Sequence, residues 1–223
     1  MSTQALPYVE VNPKSHIKAT VIWLHGLGDS GNGFAPIVPE LRLPDELGIR
    51  FVFPHAPMRP ITINNGMTMR AWYDITSLDF NQRADSQGVN ESSIFVKALI
   101  EQEMAKGVPA NKIVLAGFSQ GGVIALNLGT RLEHSLAGIM SMSSYMSEPE
   151  KLSSEAHDAN KQTPIFVAHG THDDVVPVFM GNAAFKVLES NGYQATWHEY
   201  AMQHNVCNQQ LNDISAWLQD KLS

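Results

Sequence analysis

Residues 112–129, KIVLAGFSQGGVIALNLG, leave the chain few choices. The segment opens on a short run that is apolar on both faces and rich in β-branched residues. Such a run suits a parallel strand covered by helices on each side. Residues 121–128 are apolar nearly all round, as a helix in the middle of a domain must be. Between the two stands Ser119, bracketed by Gly117 and Gly121. The glycines let strand and helix approach closely enough for a sharp bend, which leaves the serine exposed at the carboxyl edge of a sheet. A G-x-S-x-G pentapeptide arises by chance in roughly one chain of this length in ten, so its weight comes from the strand before it and the helix after it.

Similar runs recur at 20–26, 49–57, 136–144, 163–170 and 195–200, and four of the six are apolar on both faces. Helical patterns fill the gaps. One covers 92–106 and stops at Gly107. Another begins near residue 180 and ends at Asn191-Gly192. The last runs from Val206 with Leu211, Ile214 and Leu218 on one stripe, and Asn205 stands where a cap is needed. Strands alternating with helices predict an α/β fold: a mostly parallel central sheet with helices on both faces and right-handed crossovers. No repeat or Gly/Ser/Pro-rich linker divides the chain, so a single α/β domain over residues 1–223 is expected. Residues 58–90 form one long connection with a hairpin signal at Asn65-Gly66, read as the wall of a pocket.

A net charge of −7, without any Lys/Arg cluster, argues against nucleic acid as a partner. The N-terminus lacks the basic and apolar regions of a secretory signal, and no apolar run approaches a membrane span, so stable membrane insertion is not expected. With Cys207 as the only cysteine, neither an internal disulfide nor a cysteine-built zinc site can form. A cytoplasmic protein without metal or cofactor is the expectation.

A serine hydroxyl is a weak nucleophile at neutral pH. It needs a base within hydrogen-bond reach, a group that orients the base, and N–H donors for the oxyanion. In this topology the acid and then the histidine follow on later loops. The loop after 163–170 offers Asp173 and Asp174, and the loop after 195–200 offers His204. His25, His55 and His169 lie at strand ends, where they read as structural hydrogen-bonders. His198 falls within a strand, His172 is too close to the acid in sequence, and His16, His134 and His157 read as surface residues. The oxyanion donors fall on Gln120, next to the serine, and on Leu27, flanked by Gly26 and Gly28 in HGLGDSGNG at 25–33. That loop lacks the lysine of a phosphate-binding loop.

The segments WLHGLGDSG, PHAPMRPITINNGMTMRAWYDI, LAGFSQGG, HGTHDDVVP and MQHNVC together resemble the phospholipase/carboxylesterase family of α/β hydrolases. Its members include bacterial carboxylesterases and acyl-protein thioesterases. The resemblance runs from about residue 18 to the C-terminus. It implies an α/β-hydrolase fold without a large cap domain, and a Ser119–His204–Asp173 triad. Asp173 is favoured over Asp174 because the family's acid stands four residues before the proline of H-G-x-x-D-x-V-V-P. Leu27 and Gln120 match its oxyanion donors. Gln203 departs from the glycine the family often carries, and could crowd the histidine loop. The implied activity is hydrolysis of carboxylic esters through an acyl-enzyme, with short to medium acyl chains expected. The alternatives are an acyl-protein thioesterase or lysophospholipase, and, in another class, a catalytically silent scaffold used for binding. Met67, Met69, Trp72 and Val176 are the expected substrate-binding residues. The expected partner is a small-molecule ester or thioester, with a lipidated protein as the alternative; a homodimer is allowed for.

Overall fold

The computed structural model describes residues 6–77, 79 and 84–223. Its centre is a seven-stranded sheet. In chain order the strands are β1 (Tyr8–Val11), β2 (Ala19–Leu24), β3 (Ile49–Pro54), β6 (Ile113–Phe118), β7 (Gly138–Met142), β8 (Ile165–Gly170) and β9 (Ala195–Tyr200). A separate hairpin pairs β4 (Met58–Ile61) with β5 (Met67–Arg70). The sheet order is β1-β3-β2-β6-β7-β8-β9, parallel throughout except for β1 against β3.

Helices cover both faces: α1 (Gly31–Phe34), α2 (Ile37–Glu40), α3 (Ser86–Ala105), α4 (Gln120–Arg131), α5 (Leu152–Glu155), α6 (Val178–Ser190) and α7 (Asn208–Leu222). The apolar character of both strand faces has a direct cause. Along β2, Ile22 and Leu24 enter a core shared with α3, α4 and α6, while Val21 and Trp23 enter the opposite core, which α7 closes. Along β6, Ile113 and Leu115 alternate in the same way with Val114 and Ala116. Successive side chains point to opposite faces, so a strand with a core on each side is mostly apolar on both; the exception in β2, Thr20, is buried with its hydroxyl bonded to Glu103.

From β2 the chain steps to β3 on one side and later returns to β6 on the other. The loops leaving β2 and β6 therefore diverge at the carboxyl edge, the place where open α/β sheets bind ligands.

Several local expectations need correction. The 92–106 helix begins at Ser86, capped by Asp85, whose side chain accepts from the Gln87 and Gly88 N–H groups. Asn205 does not cap the last helix: α7 starts at Asn208 with Cys207 at the N-cap and no side-chain cap, and Asn205 Nδ2 instead lies 3.5 Å from the Val206 carbonyl. The antiparallel edge strand β1 is an addition, as are the one-turn helices α1, α2 and α5. The hairpin signal at Asn65-Gly66 becomes the β4–β5 turn, with both residues at positive φ. Residues 78 and 80–83 of the long connection lie outside the described residues.

Candidate active site

β6 ends at Phe118, and the next residue departs from ordinary backbone. Ser119 has φ 54° and ψ −119°, a conformation non-glycine residues avoid. Its N–H donates to the Met142 carbonyl at 2.9 Å, and its own carbonyl accepts from Ser144 Oγ at 2.8 Å. The bend needs glycine beside it. A Cβ on Gly121 would stand 2.3 Å from the Leu24 carbonyl oxygen, and one on Gly117 would stand 2.0 Å from the Gly121 oxygen.

Two other loops meet this turn. His204, between β9 and α7, sets Nε2 3.0 Å from Ser119 Oγ. Its Nδ1 lies 2.7 Å from Oδ2 of Asp173, on the loop after β8. The second carboxylate oxygen, Oδ1, accepts from the N–H groups of Val175 at 3.0 Å and Val176 at 2.8 Å. With its carboxylate fully buried and three donors around it, Asp173 is fixed in place, whereas Asp174 is exposed. The His204 ring also leans on Phe118, centroids 4.8 Å apart. Gln203 is exposed, and the loop it belongs to still delivers the imidazole.

His169 lies beneath this line. It is fully buried, and Nε2 sits 2.8 Å from the Val176 carbonyl and 3.5 Å from Asp173 Oδ2. Burial pushes its pKa below the ordinary imidazole value, so the neutral ring with its proton on Nε2 is the species that fits the carbonyl.

Beside Ser119 and His204 opens a cavity of about 240 Å³, bordered by Leu27, Tyr73, Ile75, Phe118, Tyr145 and Val176. Across Tyr145 lies a second cavity of about 470 Å³ that reaches Met146, Phe179 and Met180. Of the expected substrate-binding residues, Val176 borders the first cavity. Trp72 does not: it is completely buried, donates its indole N–H to the His25 carbonyl at 2.8 Å, and packs in the core. Met67 is 64% exposed on β5, and Met69 lies near Asn64 and Gly28 rather than in the cavity wall. A tryptophan in a loop reads as a groove liner in sequence, but here its polar edge is claimed by a backbone carbonyl. Tyr73, Ile75 and Tyr145 go unmarked in the sequence. The hydroxyls of Tyr73 and Tyr145 lie 2.9 Å apart, a pairing between residues far apart in the chain that spacing cannot reveal.

Gln120 joins the Ser119 turn to this wall. Its side-chain oxygen accepts from the Trp72 N–H at 3.0 Å, and its amide nitrogen donates to the Tyr73 carbonyl at 2.9 Å. Among the described residues no hydrogen-bond partner within the protein takes the backbone N–H of either Leu27 or Gln120. No group of three or more His, Cys, Asp or Glu among the described residues is arranged to hold a metal ion.

Comparison with known proteins identifies the family. The Phospholipase/Carboxylesterase family model matches residues 7–222. Acyl-protein thioesterase 1 of Yarrowia lipolytica is 38% identical over 221 residues, 97% of each chain. The crystal structure of Arabidopsis thaliana SOBER1 superposes with a TM-score of 0.86 at 31% identity, covering 92% of this chain and all of that one. Zea mays acyl-protein thioesterase 2 gives 0.87 at 27% identity, with 97% and 99% covered. A glycine-braced serine at the switch point, a histidine and a buried aspartate behind it, and a family match spanning nearly the whole chain lead to one assignment: the protein belongs to the phospholipase/carboxylesterase family of α/β hydrolases.

Proposed function

We propose that this chain, a serine hydrolase of carboxylic esters or thioesters, cleaves esters of short to medium acyl chains with Ser119 as nucleophile, His204 as base and Asp173 as the acid behind it. One observation carries the reading: the continuous hydrogen-bond line from Ser119 Oγ through His204 to Asp173, opening on an apolar cavity. His204 Nε2 removes the serine proton as Oγ attacks the acyl carbon. The tetrahedral oxyanion is met by the N–H groups of Leu27 and Gln120. The intermediate then collapses: the alcohol or thiol leaves with the proton from His204, and the acyl group stays on Ser119. Water, deprotonated by the same imidazole, attacks the acyl-enzyme and releases the carboxylic acid. Asp173 holds the Nδ1–H tautomer and stabilises the imidazolium in both halves.

The 240 Å³ cavity supports the chain-length limit. Each buried methylene adds about 0.8 kcal/mol, so kcat/KM should rise about fourfold per carbon until the cavity is full. Nitrophenyl esters of two to sixteen carbons test this, with the maximum expected at eight or fewer. A maximum at sixteen, or preference for an acyl thioester or a lysophospholipid, favours the second reading, an acyl-protein thioesterase or lysophospholipase. That reading draws on the relatives named acyl-protein thioesterases and on the larger cavity across Tyr145. A fluorophosphonate probe tests the nucleophile: one adduct is expected on the native chain and none on Ser119→Ala. No adduct on the native chain would leave a binding scaffold as the better account.

Small-molecule esters are the proposed substrates, with a lipidated protein under the second reading. A cytoplasmic setting fits a chain whose single cysteine has no partner for a disulfide. No described helix is long and apolar enough to cross a membrane.

A further inference from the structure

His25 follows β2 and is completely buried, yet it bonds to neither Ser119 nor His204. Its two ring nitrogens face opposite kinds of partner. Nδ1 lies 2.7 Å from the Gly26 carbonyl oxygen, and Nε2 lies 3.0 Å from the Ala56 backbone nitrogen. A carbonyl only accepts and an amide N–H only donates, so the ring is the neutral tautomer with its proton on Nδ1. Burial lowers the pKa of this imidazole and favours the same neutral form; Asp29, His55 and Arg70 are the charged or titratable groups that face it.

The Gly26 carbonyl and the Leu27 N–H belong to one planar peptide unit and point in opposite directions. Holding one therefore aims the other. Glycine at position 26 presents little steric barrier to a flip of that unit, so hydrogen bonds must choose its orientation; its carbonyl also accepts from the Asp29 N–H at 3.3 Å, and the His25 bond at 2.7 Å is the shorter of the two. The surrounding loop is fastened on both sides. Trp72 Nε1–H donates to the His25 carbonyl at 2.8 Å, the Gly28 N–H donates to the Arg70 carbonyl at 2.9 Å, and Arg70 Nη1 donates to the Ala56 carbonyl at 2.9 Å. Gly26 and Leu27 both border the cavity that holds Ser119.

We propose that His25 is a positioning residue: its Nδ1–H, given to the Gly26 carbonyl, locks the Gly26–Leu27 peptide with the Leu27 N–H turned toward Ser119. The inference rests on the reading of Leu27 as an oxyanion donor given above. His25 touches no reacting atom and acts through the peptide it holds.

Two substitutions in the full chain separate the ring's two bonds. Asparagine sets its amide nitrogen near the place of Nδ1, and glutamine sets its amide oxygen near the place of Nε2, where it accepts from the Ala56 N–H. Steady-state hydrolysis of nitrophenyl butyrate is measured per active site titrated with a phosphonate, so unfolded protein does not count against kcat. His25→Asn is expected to keep kcat within about threefold, because a donor to Gly26 remains. His25→Gln is expected to lose about 30- to 100-fold in kcat, the scale of a misplaced oxyanion donor, with KM within about twofold. Affinity for a trifluoromethyl ketone, whose adduct on Ser119 carries an oxyanion, should fall in parallel in His25→Gln alone. Equal loss of kcat in both variants, or a loss confined to KM or to the number of titrated sites, overturns the role given to His25. A native chain that hydrolyses neither esters nor thioesters defeats the parent reading as well, so the two failures remain distinct.

Discussion

Replacing Asp173 by asparagine changes one atom, and the local bonds dictate the result. Oδ1 accepts from the Val175 and Val176 N–H groups, while Oδ2 accepts from His204 Nδ1. Asparagine has a single oxygen. Two fixed backbone donors outweigh one movable ring, so that oxygen takes the Oδ1 position and the NH2 group faces His204. Nδ1 must then accept, which places the ring proton on Nε2, 3.0 Å from Ser119 Oγ. A protonated Nε2 cannot take the serine proton. In serine proteases the corresponding loss is about 10⁴-fold in kcat, or roughly 5.5 kcal/mol, and the same scale is expected here. The fold should hardly notice, because every donor around the side chain except the ring keeps a partner. Nitrophenyl butyrate hydrolysis and thermal melting provide the assay: kcat down by about four orders with Tm within a few degrees. A loss below about tenfold would show that the aspartate does not set the tautomer.

Four more outcomes follow from the structure. His25 and His169 are fully buried with pKa values lowered by burial, so unfolding lets each bind a proton as pH drops below the ordinary value of about 6.5. Their contribution is complete above that value and is lost as pH falls toward the folded-state pKa. Urea titrations from pH 7.5 downward should therefore show stability falling by up to about 3 kcal/mol per pH unit, and a flat profile down to pH 5 would contradict neutral burial. Gly121→Ala places a methyl 2.3 Å from the Leu24 carbonyl oxygen and should cost more than about 4 kcal/mol, seen as loss of folded protein. Gly66→Ala, at φ 75° with open space around it, should cost only about 1 kcal/mol. Ser119→Gly relieves a backbone strain of about 1–3 kcal/mol, and should melt above Ser119→Ala, which keeps the strain; the reverse order would mean the turn is relaxed.

The central sheet was legible because its strands are short, most of them are apolar on both faces, and helical patterns separate them. β1 was not: its four residues are mostly half-buried at an edge and carry no such signature. The start of α3 was hidden by Ser86-Gln87-Gly88, a polar opening that only the Asp85 cap identifies as helix. Ser119, Asp173 and His204 could be located because each stands on a loop after a strand, in the order that this topology dictates. The cavity wall could not, since Tyr73 and Tyr145 meet across a sequence gap that no local pattern bridges. Trp72 and His25 show a further limit. Composition marks them as aromatic or titratable, but their rings are held by hydrogen bonds to backbone groups, which no local sequence pattern specifies.

Because the Gln120 side chain grips residues 72 and 73, the helix after Ser119 and one wall of the neighbouring cavity are tied together. Under the proposed function, reshaping that wall to retune chain-length selectivity would drag the Ser119 turn along with it. Another part of the wall, at Val175 and Val176, is held by Asp173, whose carboxylate also meets the His204 ring. On the proposed reading, selectivity and chemistry are thus mechanically married on both shores, and the second cavity, where Phe179 is exposed, is the freest ground for change.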